Sequence, residues 1–299
     1  MKKRSTGEIL SQSIIVILML LLCLSVLYPF AYMLSISLNE GTDAAKGGVY
    51  LWPRAFTLIN YEIVLGNEVI QHAYLITIAR TVLGTIAGLL VTLMVAFGLS
   101  YQRIPFRKSI LSYILITMLF SGGLVPLYIQ LYNLGLINNF MVYIIPGLFS
   151  AWNMFVMLKF IQGIPEALIE SAELDGAGPF RILIQIIVPL SKPMLAAIGL
   201  FTAVGHWNDW FAGAFYVTEQ NLIPVQTFLQ QLLSAQDMSA ILGSNSNQEA
   251  LARGSQMQNV TLMSIKMATV MVSAIPILCV YPFLQKYFVK GVLIGSVKG

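Results

Sequence analysis

Six stretches of this chain are apolar and long enough to cross a membrane, and they limit the fold before any motif is considered. They run over Ser13–Leu38, Ala73–Ser100, Ser109–Tyr132, Phe140–Gln162, Pro193–Tyr216 and Ser264–Phe288. A helix needs about 20 mainly apolar residues to span the hydrocarbon core of a bilayer. The expectation is an all-α membrane protein with six transmembrane helices. Composition agrees: 57% of residues are hydrophobic and 10% charged, where a soluble domain carries about 25% charged residues.

Basic residues set the expected orientation, because short cytoplasmic loops collect Lys and Arg. Lys2, Lys3 and Arg4 precede the first run; Arg103, Arg107 and Lys108 follow the second. Lys159, Arg181 and Lys192 surround the link from fourth to fifth, and Lys286, Lys290 and Lys298 close the chain. These are twelve of the 17 basic residues, whereas the opposite loops hold Lys46, Arg54 and Arg253. Both termini and the loop 163–192 are therefore expected in the cytoplasm. The N-terminus resembles a signal peptide in its charge, but the run after it is too long for one and no small-residue cleavage site closes it. It reads as a retained helix. Cys23 and Cys279 lie in apolar runs and read as small buried hydrophobes rather than a disulfide.

Two loops face the other way. Asn39 to His72 carries Trp52-Pro53, and Val217 to Met263 is rich in Gln, Asn and Ser. Within the second, Pro224–Ala235 has apolar residues at helical spacing and predicts an interfacial helix. The loop is either a solvated connector or a surface for an extracytoplasmic partner.

No G-x-x-x-x-G-K-[ST] stretch occurs, so the chain has no P-loop for a nucleotide. No His, Cys, Asp and Glu cluster has metal-ligand spacing, and no metal or cofactor is expected in this chain. Nucleophile motifs of the G-x-S-x-G type are missing too. The small positive charge needs no nucleic-acid partner. Transport without an ATPase would need an ion-coupled carrier, which places ionisable groups at mid-membrane in broken helices. Asp209 is the one acid within the apolar runs.

The stretch Ile164 to Pro193 is a polar, acid-containing loop between two spans. A helix is expected from Pro165 near its N1 position, with Glu166 and Glu170 early where the helix dipole favours acids. Gly176 after Asp175 suits a positive-φ helix end. A second helix is expected over Pro179–Val188, with Pro189 and Pro193 stopping it. The result is a knob of two short helices, of a shape to enter a cleft on a soluble partner.

Glu170-Ser171-Ala172, three residues, Gly176, nine residues and Ile186-Ile187-Val188-Pro189 resemble the EAA loop of binding-protein-dependent ABC importer permeases. That loop reads E-A-A, three residues, G, nine residues, I-x-L-P; Ser171 and Val188 are the departures. The blocks Phe120–Pro126, His206–Phe211 and Tyr281–Gly291 are similar to the maltose-permease-like, carbohydrate-uptake branch and its complex-oligosaccharide subgroup. The resemblance implies a type I ABC importer transmembrane fold in a bacterial cytoplasmic membrane. Residues 1–72 would hold the first helix and first outer loop, 73–289 the core with the coupling loop 163–192, and 290–299 a cytoplasmic tail. It also implies partners: a second, different permease, two ATPase subunits holding ATP and Mg, and an extracytoplasmic sugar-binding protein. The chain itself would be a transport subunit and not an enzyme. Glu170 and Gly176 would anchor the loop by charge and close backbone approach, with Ser171, Ala172, Asp175, Ala177, Arg181 and Pro189 around them.

Polar groups at membrane depth should face the bundle or a wet cavity, since a central charge costs about 2.5–3.5 kcal/mol. Arg80, Asn153, His206, Asn208 and Asp209 are such groups, and Trp207, Trp210 and Phe211 lie beside them. Aromatic faces next to hydrogen-bonding groups suit sugar rings. Two further readings stand: tryptophans can be interface anchors, and His206 and Asp209, three apart, can pair on one helix face. Arg80 is a counter-ion for an acidic sugar, or a bundle-facing or snorkelling arginine. Gly84 and Gly88 suit close helix packing. The leading reading is an oligosaccharide importer permease; the alternatives are an ion-coupled carrier and a membrane sensor or scaffold.

Overall fold

The computed structural model describes residues 6–234 and 260–296, with 6 and 280–296 as backbone only. Lys2, Lys3, Arg4, Arg253, Lys298 and residues 235–259 of the second outer loop lie outside the described residues. The described chain is helical apart from its turns and one isolated bridge between Asn39 and Phe56. Three helices are by themselves long and apolar enough to cross a membrane, and counting each of three bent pairs as one span raises the number to six.

The described residues form two compact units. The first draws on Met1–Ile70 and Leu229–Ile275. Its α1, Thr6–Ser37, is apolar nearly throughout and exposed from Gly7 to Phe30, as suits a helix whose solvent is lipid. Cys23 is exposed on α1, and Cys279 is exposed as well, so neither is the buried hydrophobe expected. The reason is physical: an apolar side chain gains nothing by leaving lipid for protein.

After α1 the chain makes a pinned loop with short helices α2, Gly41–Ala45, and α3, Ile59–Leu65. Buried Asn39 organises it: its Oδ1 accepts from Ala55 N–H at 2.8 Å and its Nδ2 donates to Asp43 Oδ2 at 3.1 Å. Arg54 Nε completes the ring by donating to the same Asp43 oxygen at 3.1 Å. The Asn39 hydrogen bond, ahead of Arg54, holds the Asp43 carboxyl below its ordinary value. Asn60, also buried, donates to the Ser37 and Asn39 carbonyls. Gly41 packs against the backbone of Val260 and Thr261 so closely that no side chain fits.

The second unit draws on Gln71–Phe228 and Pro276–Gly299. Helix α4, Glu68–Ser100, is its longest element within those bounds. The expected third span is two helices, α5 Arg107–Leu119 and α6 Leu124–Asn133, meeting at 114°. The break has a local cause. Phe120 is extended and Gly123 sits at φ 88°, a backbone state open to glycine. The expected fourth span is likewise divided: 3₁₀ turns over Phe140–Tyr143 and Ile145–Gly147, then α7, Ala151–Gln162, at 46°. The Ser150 hydroxyl caps α7 by accepting from Asn153 N–H, which is why a new helix starts there.

Helix α8, Glu166–Leu174, starts with Pro165 as its N-cap, one residue outside the N1 position expected. The second helix of the loop does not stop at Pro189. It runs as α9, Pro179–Ile182, a π turn over Leu183–Ile187, and α10, Val188–Leu190. Proline lacks the N–H for an i→i−4 bond, and the wide turn before it removes that demand. The stop is at Ser191, where the chain bends by 82° into α11, Lys192–Asn208. Helix α12, Phe211–Tyr216, is separate, so the expected Pro193–Tyr216 span ends at Asn208. Helix α13, Val225–Ser234, confirms the helical spacing expected there, and α14 runs Leu262–Ser296.

Two apolar cores hold the second unit. One gathers Phe97, Met154, Met157, Ile161, Ile187 and Met194 among others, joining α4, α5, α7, α11 and the π turn. The other joins Leu131, Val142, Tyr143, Tyr216 and Val217 around α6 and α12.

Candidate functional site

The loop 163–192 is built as a knob whose root is buried and whose tip is bare. Ile182, Leu183 and Ile187 sit in the larger core, and Ile164, Ile169, Ala172 and Ala177 pack against it. The opposite face carries Glu166, Glu170, Ser171, Glu173 and Asp175, all exposed. Leu174 and Phe180 project at the tip, 89% and 70% exposed. Asp175 is the C-cap of α8, and Gly176 takes φ 78°, the left-handed turn that lets α9 leave at an angle. The next amide, Ala177 N–H, closes the turn on the Ala172 carbonyl at 2.9 Å. No atom lies within 4 Å of where a Gly176 side chain would begin. Within this chain Gly176 therefore serves backbone geometry, not close approach. Arg181 Nε donates to Gln185 Oε1, and both are exposed. Two apolar side chains and four carboxylates thus stand exposed on a stem whose root is buried.

The second cluster lies where α11 gives way to α12. Arg80 on α4 is 1% exposed and donates to the Asp209 carbonyl. Its Nη1 stands 3.7 Å from Asp209 Oδ2, and its guanidinium lies over the Tyr143 ring at 5.2 Å. Asp209 Oδ1 accepts from the N–H groups of Phe211 at 3.0 Å and Ala212 at 3.2 Å, capping α12. One carboxylate thus holds the buried cation and starts a helix. Asp209 has left helical geometry, so the expected His206–Asp209 pair on one helix face does not form; Arg80 is the partner instead. Arg80 is neither snorkelling nor facing open space. His206 lies against Gly84, where a side chain would meet the imidazole, and Gly88 faces the Gly147 carbonyl. The two glycines do serve close packing.

Of the other expected residues, Trp207 is buried against Tyr74, ring centroids 6.4 Å apart. Asn208 and Trp210 are exposed, with the Trp210 ring edge-on to Phe211. Asn153 is half-buried in the first turn of α7. The structure brings together Arg80, His206, Trp207 and Asp209.

Three residues missed in the sequence complete the cluster. Tyr143 covers Arg80 and donates to the Leu222 carbonyl at 2.8 Å; Thr77 accepts from Val225 N–H at 2.8 Å; Tyr74 meets Trp207. Ala73, Thr77, Arg80, Gly84 and Gly88 recur at three- and four-residue steps on α4 and are all buried. That spacing marks one helix face and was the available signal.

A family model described as "Binding-protein-dependent transport system inner membrane component" matches residues 2–294. The chain is 35% identical to Protein LplC of Bacillus subtilis, over 91% of this chain and 89% of that one. It is 33% identical to the polygalacturonan/rhamnogalacturonan transport system permease protein YtcP of the same organism, over 94% and 96%. A chain in the crystal structure of a bacterial ABC transporter that imports the acidic polysaccharide alginate superposes with a TM-score of 0.87. That chain is 29% identical, and the match covers 96% of this chain and 100% of that one.

Proposed function

The chain belongs to the binding-protein-dependent transport system inner membrane components, and from that premise we propose how its geometry serves transport. It is the permease subunit of an ATP-driven ABC importer for carbohydrate, a multi-pass protein of the bacterial cytoplasmic membrane and not itself an enzyme. The observation that carries the coupling mechanism is the knob of α8 and α9, with its buried root, exposed Leu174 and Phe180, and acidic face. We assign it to a cleft on a cytoplasmic ATPase, which binds ATP and Mg; this chain needs no cofactor. A second permease completes the membrane pair, and an extracytoplasmic binding protein delivers the sugar.

In this reading the chain crosses the membrane six times, through α1, α4, the α5–α6 pair, the 3₁₀ turns with α7, α11 and α14, with termini and knob in the cytoplasm. ATP binding draws two ATPase subunits together. The knob moves with its ATPase, and the π turn and Ser191 bend pass that movement to α11. At the far end of α11 lie Trp207, Asn208, Asp209 and Trp210. We assign Asn208 and Trp210, which are exposed, to contact with sugar hydroxyls and ring faces, with Asn153 as a further candidate on α7. Arg80, Asp209 and His206 position that end of the helix from behind. The ion-coupled alternative finds no support: Arg80 and Asp209 are committed to each other and to capping α12.

The substrate class is supported by one relative named for polygalacturonan/rhamnogalacturonan transport and by a similar structure named for alginate import. We propose an oligosaccharide, and uronate-containing chains should be tried first. The decisive experiment is co-purification of the complex with wild type, Gly176→Trp and Glu170→Arg. The wild type should hold the ATPase and both variants should release it. Equal retention by all three would remove the knob as the coupling element. Stimulation of ATP hydrolysis by loaded binding protein then identifies the sugar, comparing oligogalacturonate with a neutral oligosaccharide of equal length.

A further inference from the structure

The joint between the knob and α11 carries a buried hydroxyl that binds nothing in the chain. Ser191 is 0% exposed, and its Oγ has no hydrogen-bond partner. Its neighbours in sequence, Ile187, Met194 and Ile198, belong to the larger apolar core. A serine hydroxyl rotates to suit its surroundings, and in a helix it commonly donates to the carbonyl three or four residues back. Buried hydroxyls elsewhere in the chain do so: Ser37 to Leu34, Thr77 to Ala73, Ser264 to Thr261 and Thr269 to Ile265, each at 2.8 or 2.9 Å.

Ser191 differs because of its backbone. Its φ of −91° and ψ of 3° lie in the bridge region beside the helical one. Its main-chain groups are both used: the N–H donates to the Ile187 carbonyl at 2.9 Å, and the carbonyl accepts from Leu195 N–H at 2.8 Å. The main chain is thus paired through the 82° bend while the side chain is not. Pro189 and Pro193 fix φ on either side, and Pro193 also restricts Lys192 before it. Leu190 and Lys192 belong to α10 and α11, so Ser191 is where the chain can turn. A change of about 45° in ψ brings it to helical backbone. There the Ile187 or Val188 carbonyl comes within reach of the hydroxyl.

We propose that Ser191 is a two-state hinge and a positioning residue for transport. Its hydroxyl is unpaired while the bend is closed and donates back into α10 when the bend opens. The bond gained on opening offsets the cost of leaving the closed bend, which keeps both states accessible. Helix α11, with Asn208 and Asp209 at its far end, moves with the joint. That role rests on the coupling path assigned above to the knob, π turn and bend.

Spin labels at Ile184→Cys and Gly205→Cys, exposed positions on either side of the bend, read its angle by double electron–electron resonance. The sample is the assembled transporter, with Cys23 and Cys279 changed to serine. The wild type should show two distances whose ratio changes with ATP and vanadate. Ser191→Ala should enrich the closed bend about fivefold, the worth of one buried hydrogen bond, and slow transport while the ATPase stays bound. Alanine forms helix better than serine, so propensity alone would enrich the open bend instead. A single distance for wild type in every nucleotide state, or an unchanged ratio in Ser191→Ala, would overturn the hinge. Two distances that answer to Ser191→Ala but ignore ATP would uphold the hinge and remove the coupling path instead.

Discussion

At Gly176 two explanations of a glycine can be separated. Its φ of 78° demands a residue that tolerates the left-handed region, while the empty space around it demands nothing of size. For an ordinary L-residue that conformation costs about 1–2 kcal/mol, and asparagine is among the exceptions. Gly176→Asn should therefore keep the ATPase on co-purification, and Gly176→Val should lower retention by about 5–30-fold. Should asparagine fail as badly as valine, the glycine is needed because the partner comes within contact distance, as the resemblance to the EAA loop implies. Gly213 is the opposite case: Pro224 Cδ would lie 2.8 Å from its side chain, so packing within the chain fixes that glycine.

At the scale of elements, the helix end at Asn208 and the start at Phe211 are held by a single side chain. Asp209→Asn leaves an oxygen to cap α12 but strips the negative charge from a buried arginine. Removing one partner of a fully buried pair costs about 3–5 kcal/mol, and because the Asp209 side chain is 38% exposed water offsets part of that; replacing both with apolar groups is often neutral. Asp209→Asn should thus lower the thermal midpoint of the complex, and Arg80→Met added to it should recover most of the loss. A double variant no better than the sum of the singles would mean that Arg80 works chiefly through Tyr143 packing. This pairing was not legible in the sequence, because Arg80 and Asp209 are 129 residues apart and Asp209 lies three residues from a nearer candidate, His206. Three spans were legible outright, as single helices long and apolar enough to cross, because composition alone decides whether lipid accepts a helix. The breaks in the others were not, because a window of 20 residues averages over them. Yet Gly122-Gly123 before Pro126, the Ser150 cap and Ser191 before Lys192-Pro193 are local signals in the sequence. The knob was legible almost to the residue, since Pro165, Asp175-Gly176 and Pro179 each fix a backbone state.

For the whole molecule the open quantity is its direction in the membrane, and there the two ends of the argument meet. The distribution of basic residues favours a cytoplasmic loop 163–192, and the docking function proposed for its tip requires the same side. On that proposal the pinned loop 39–66 faces out. Cys23 and Cys279, both exposed, should be changed to serine before single cysteines are introduced. Leu51 and Leu174 suit the introduction, being 53% and 89% exposed and absent from both cores. With Leu51→Cys, a membrane-impermeant maleimide added to intact cells should react; with Leu174→Cys it should react only after permeabilisation. In the assembled transporter, Leu174→Cys should also be shielded when the ATPase is present and labelled when it is stripped away. Labelling of Leu174→Cys from outside intact cells would invert the topology. No cytoplasmic ATPase would then reach the knob, and the coupling mechanism would fall with it.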